Sequence, residues 1–135
     1  MANPSLVRKI DKTYFAIVGS AAEVVAGDAQ YSTLQSAVNA ASSGQKIVVL
    51  SGTHTENVTV DKRLTIEGQG HATYLDGTLT FASGSDYSLL RGLKIGGNLT
   101  LNAGADGIFI TETWLGSSAT LTNSGAGNSL NIIQE

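Results

Sequence analysis

The sequence predicts an all-β chain wound as a short parallel β-helix of about four to five coils. Three observations predict it. The first is a repeat: Gly77-Thr78-Leu79-Thr80-Phe81-Ala82-Ser83-Gly84-Ser85-Asp86 returns 20 positions later as Gly97-Asn98-Leu99-Thr100-Leu101-Asn102-Ala103-Gly104-Ala105-Asp106. It returns again, more loosely, from Ala119 to Asn128. The second is the spacing of the apolar anchors Val58, Leu79, Leu99 and Leu121, which lie 21, 20 and 22 residues apart. A fixed period near 20 residues marks a solenoid. The third is local pattern. Leu79-Thr80-Phe81 and Leu99-Thr100-Leu101 alternate apolar and polar residues, as a half-buried strand does. Each is followed by a small-residue turn with a glycine and an aspartate. Such coils stack at about 4.8 Å, and each buries its apolar side chains only against its neighbours. An antiparallel sandwich also fits short strands with regular turns, but it has no reason to repeat one corner at a constant interval.

Size and composition narrow the class. A chain of 135 residues makes one domain. Only 14% of it is charged and 41% is hydrophobic, with 16 glycines and one proline, which suits a turn-dense β protein and not a disordered one. The net charge of −3 offers no basic footprint, so no nucleic-acid partner is expected. The absence of cysteine rules out a disulfide frame and a thiolate metal site. No apolar run approaches the roughly 18 residues of a membrane span. The first twelve residues carry Arg8, Lys9, Asp11 and Lys12 where a secretion signal would be apolar, so a cytoplasmic origin is expected.

Taken in order, residues 1–23 stand outside the repeat and read as an N-terminal arm. Pro4 and the mixed stretch Ser5 to Ile10 suggest an extended segment, and Tyr14-Phe15-Ala16-Ile17-Val18 is a β-prone apolar run. Such an arm, with its own aromatic strand, is either a pairing strand or a docking peptide, or else it covers the end of the solenoid. Residues 24–135 form the β-helix domain. Leu34, Ala37, Val38 and Ala41 mark one face of a helix over about 33–42, with Ser32 as N-cap. That helix is expected to cover the first coil. Ile47-Val48-Val49-Leu50 and Leu64-Thr65-Ile66-Glu67 are strands, and Leu130 to Ile133 closes the chain.

Here a resemblance becomes visible. Tyr31-Ser32-Thr33-Leu34-Gln35-Ser36-Ala37-Val38-Asn39-Ala40-Ala41, Gly44 with Ile47-Val48-Val49-Leu50 and Gly52-Thr53, Glu56-Asn57-Val58-Thr59-Val60 and Leu64-Thr65-Ile66-Glu67-Gly68 follow one another in order. Together they resemble the opening of pectin-lyase-like right-handed β-helix proteins, a group that includes pectin methylesterases, surface-layer β-helices and phage tailspikes. The resemblance implies a right-handed coil with an N-terminal capping helix. It implies little about activity, because enzymes and non-enzymes share this segment.

The candidate sites are few. Asp86 and Asp106 fall at equivalent corners about 5 Å apart. They read either as a cation pair or, preferably, as turn aspartates bonding their own loops, with Asn128 at the third corner. Arg91 and Glu112 are 21 residues apart and suited to pair between coils. His54 and His71 lack ligand-like neighbours. Asn57-Val58-Thr59 and Asn98-Leu99-Thr100 match the glycosylation triplet but read as polar strand positions. Trp114 reads as a packing or interface residue before a sugar platform. No catalytic residue, cofactor or metal site is assigned, and the chain is expected not to be an enzyme.

The resemblance and the small size together point to a structural bacteriophage virion protein, a capsid decoration or cement protein or a head or tail fibre component. It would be a homotrimer assembled in the host cytoplasm and held to a major capsid or tail protein by its arm. The attachment residues would be Leu6, Val7, Ile10, Tyr14, Phe15, Ile17 and Val18. The alternative is a carbohydrate-binding or carbohydrate-active β-helix of the lyase or esterase type, with a surface glycan as partner.

Overall fold

A computed structural model of the chain describes residues 16–18 and 30–135. The described residues form a parallel β-solenoid of four stacked turns, with one short helix among them, at the N-terminal end of the stack. Two short strands, β1 (Ala16–Val18) and β2 (Gln30–Tyr31), precede the helix α1 (Leu34–Ala40). The first turn holds β3 (Lys46–Val49), β4 (Gly52–His54) and β5 (Val58–Val60). The second holds β6 (Thr65–Glu67), β7 (Thr73–Leu75) and β8 (Leu79–Phe81). The third is β9 (Leu89–Ile95) and β10 (Leu99–Leu101), and the fourth β11 (Phe109–Leu115) and β12 (Leu121–Asn123). A last rung, β13 (Ser129–Gln134), lies on β11.

The strands line three faces. On the third face β5, β8, β10 and β12 form one parallel sheet, in which Val58, Leu79, Leu99 and Leu121 stand in register. The 20-residue spacing read from the sequence is therefore a spatial column. β9 and β11 each serve two faces. The first half of β9 pairs with β6 and its last two residues pair with β7. The bend between the halves lies at Gly92, φ 80°, and in the next turn at Glu112, φ 48°. A left-handed backbone costs a non-glycine residue about 1–2 kcal/mol, partly offset by the entropy glycine loses on folding. Glu112→Gly is therefore expected to stabilise the fold by roughly 0.5–1 kcal/mol, read as a higher urea midpoint at unchanged slope.

The core is a set of continuous apolar columns. Ile47, Ile66, Leu90 and Ile110 follow one another in register on the first face and are fully buried. Val60, Phe81 and Leu101 do the same on the third. At the C-terminal side the columns thin out: Leu121 is 40% exposed, and Leu130 and Ile132 are only partly buried.

The helix seals the other end. Its N-cap is Thr33, whose hydroxyl accepts from the Ser36 N–H, one residue later than the Ser32 expected from sequence. Both oxygens of Glu56 accept the first helical N–H groups, from Leu34 at 2.7 Å and Gln35 at 3.0 Å. The Gln35 amide binds both backbone groups of Thr59, accepting its N–H at 2.7 Å and donating to its carbonyl at 3.1 Å. That side chain does the work of a neighbouring strand along the free edge of β5. Lys62 donates to the helix-end carbonyls of Asn39 and Ala41.

Part of the segment that the sequence reading set apart as an arm belongs to this sheet. β1 pairs with β3 on one side and β2 on the other, all parallel, and Val18 is fully buried in the core.

Candidate functional site

Corner side chains are used between coils. At the corner entering the third face, Asn57 Oδ1 accepts the Thr78 N–H at 2.9 Å and Thr78 Oγ1 accepts the Asn98 N–H at 3.3 Å. Asn98 Oδ1 then accepts the Thr120 N–H at 3.1 Å. Each side chain thus satisfies a backbone donor of the following coil where the sheet ladder is interrupted. The two glycosylation-like asparagines both belong to this chain of bonds.

The aspartate corner works the same way. Asp86 Oδ1 accepts the Asp106 N–H at 3.0 Å, and Asp106 Oδ1 accepts the Ala126 N–H at 2.7 Å. These carboxylates bind the next coil and not their own loops. The third corner position is Ala126, not Asn128, because the last loop is shorter. Asn128 turns inward, accepting the Ile108 N–H and donating to the Ala105 carbonyl. Among the described residues no group of three or more His, Cys, Asp or Glu side chains could hold a metal ion.

The charged groups pair across rungs. Arg91 meets Glu67 at 3.0 Å, not Glu112, and Lys46 approaches the other Glu67 oxygen at 3.4 Å. His54 bonds the Leu50 carbonyl at 2.8 Å. On the second face Tyr74, Lys94, Trp114 and Ile133 stand in register. Lys94 lies 5.3 Å from the centre of the Tyr74 ring, and His71 meets Trp114 edge to face at 5.4 Å. Glu135 joins this group, one oxygen 2.8 Å from Lys94 and the other 2.6 Å from His71. Sequence reading missed this cluster because 64 residues separate His71 from Glu135.

The cluster fastens the last rung, with a pH window. The hydrogen bond from Lys94, then that from His71, holds the Glu135 carboxyl below its ordinary 4.5. The bond to Glu135 holds the Lys94 ammonium above its ordinary 10.5. A depressed carboxylate contributes above its ordinary range, and the contribution is lost as pH falls through the depressed value. A raised ammonium contributes below its ordinary range and loses that contribution as pH rises through the raised value. Hydrogen-exchange protection of β13 should therefore be greatest between about pH 5 and 10 and fall first on the acid side, while β9 is unchanged. Glu135→Gln should flatten the acid limb. Equal acid sensitivity in the variant would exclude this pairing as the cause.

Of the sequence-predicted attachment residues, Leu6, Val7, Ile10, Tyr14 and Phe15 lie outside the described residues. Ile17 and Val18 are in β1, between β2 and β3. The chain has no match among known protein families, curated proteins or solved structures. Its fold is thus described by its own geometry, a parallel β-solenoid. No described helix is long and apolar enough to cross a membrane.

Proposed function

We propose that the chain is a structural, non-enzymatic virion component, a capsid decoration protein or a head or tail fibre element, working as a homotrimer anchored through residues 6–18. The observation that supports this reading is the use of corner side chains. Asn57, Thr78, Asn98, Asp86 and Asp106 each accept a backbone donor from the next coil. These side chains tie one turn to the next, which favours a stiff stack. Stiffness suits a mechanical part, and repeated contacts on a symmetric lattice supply avidity without any single strong site.

Light scattering on the purified chain tests the assembly, with a three-chain mass expected. Deleting residues 1–20 should abolish attachment to the particle. Attachment that survives the deletion removes the arm from the mechanism.

A second reading is favoured by the second face, where Tyr74 and Trp114 flank Lys94 in register. Aromatic faces beside a cation suit an acidic glycan. A monomer that binds an acidic polysaccharide, and loses it with Trp114→Ala, would replace the virion reading with this one.

A further inference from the structure

A cluster of large apolar side chains stands at the corner where the chain enters the first face. Tyr87 is 73% exposed and Phe109 45% exposed, and Leu89 is opposite Phe109 in the register of β9 and β11. Tyr87 is held at φ 63°. At the same corner the next two coils place Gly107 and Gly127, both at φ 67°. A bulky aromatic residue here is exposed and held in a backbone conformation that glycine adopts in the neighbouring coils and that costs a tyrosine strain. Its ring lies across Gly107, where an added Cβ would be 2.6 Å from the ring. Asp86 and Asp106 flank the cluster, each fixed by a bond to the next coil. Of the cations on this side, Lys46 and Arg91 lie against Glu67, and the exposed Arg63 stands at the same corner one coil before Tyr87.

We propose that this patch is the seat of the chain's own N-terminal segment, Leu6 to Lys12, which lies outside the described residues. Chemistry, reach and size each argue for that occupant. The segment combines Leu6, Val7 and Ile10 with Arg8, Lys9 and Lys12, so it offers apolar side chains to the rings and cations to Asp86, Asp106 and the face of Tyr87. It is within reach. The chain enters β1 at Ala16, and the register runs Ala16, Ile47, Ile66, Leu90, Ile110, so Ala16 is at the same end of its rung as Leu89 and Phe109. β9 is three rungs from β1 and β11 four, about 14 and 19 Å. The ten residues before Ala16 extend to about 33 Å. The patch itself is three side chains wide. That is far below the ~800 Å² that each partner of a stable complex buries. A segment tethered a few residues away needs no such area, because its effective concentration is high. The inference concerns the free protein and does not rest on the virion reading.

The chain has no cysteine, so Ser5→Cys in the full chain gives one attachment point for a nitroxide spin label. The amide signals of residues 86–89 and 106–109 should lose intensity, and those of Tyr74 and Trp114 on the second face should not. Adding Tyr87→Gly, which places at this corner the residue found in the next two coils, should restore the intensity at an equal or higher melting temperature. Loss spread evenly over the faces, or centred elsewhere, overturns the proposal. So does loss that appears only when labelled chains are mixed with separate isotope-enriched chains, which would assign the patch to a second copy.

Discussion

Gly77→Ala is expected to lower the melting temperature by about 10 °C. Gly77 stands at the corner before β8, and a Cβ added there would be 1.9 Å from the Glu56 carbonyl oxygen and 2.7 Å from its carbon. Both are backbone atoms of the preceding coil, so no side-chain rotation relieves the clash. The coils must part at that corner, where the Thr78 N–H is also bonded to Asn57. Overpacking of this kind costs about 1–3 kcal/mol, occasionally more. In a domain of this size each kcal/mol moves the melting temperature by roughly 3–5 °C. Gly116→Ala is the matched control. Its added Cβ would meet Gly96 and Ile95 backbone atoms at 3.5–3.7 Å, which is ordinary contact. That change should stay within about 1 kcal/mol of the parent, because the entropy removed from the unfolded chain offsets small native shifts. Equal melting temperatures for the two variants would show that the spacing between coils at this corner does not limit stability.

The contrast between these two glycines was not legible in the sequence, although the coil was. Val58, Leu79, Leu99 and Leu121 were readable as a column because inward positions tolerate only apolar residues, and stacking preserves their spacing. The corner bonds were not readable. Asn57, Thr78 and Asn98 share only the ability to accept a hydrogen bond, so the role persists while the residue type changes. The bend at Glu112 was hidden for the opposite reason, since glutamate carries no signal for the left-handed backbone that Gly92 advertises. The strand at Ala16–Val18 was legible as a β-prone run, but its partner was not. It pairs with a strand that follows the helix, and local pattern does not report such pairing. The pectin-lyase-like resemblance read from the sequence has no support in the comparisons with known proteins; three residues that carried it, Thr33, Gln35 and Glu56, join the helix to itself or to the first coil. In this chain they fasten the helix to the coil beneath it, a structural task that carries no chemistry.

Leu99→Ala is expected to cost about 2–5 kcal/mol, and Leu121→Ala less than about 1.5. The two leucines are the same residue type in one column, directly opposite each other in β10 and β12. They differ in burial. Leu99 is fully buried, with Leu79 before it and Leu121 after it, whereas Leu121 is 40% exposed. Truncating Leu99 removes its own transfer energy and leaves a cavity that rungs on both sides are too constrained to fill. Truncating Leu121 uncovers one side of Leu99 and opens no enclosed void. In a solenoid the interface energies act between neighbours, so a central cavity weakens two interfaces and a terminal one only its own. Urea unfolding of both variants measures the difference, and hydrogen exchange locates it. Leu99→Ala should lower protection in β8, β10 and β12 together, while Leu121→Ala should lower it in β12 and leave β8 at the parent value. Similar losses for the two leucines would mean that the columns do not couple rung to rung, and the stacked-coil account of stability would have to be abandoned.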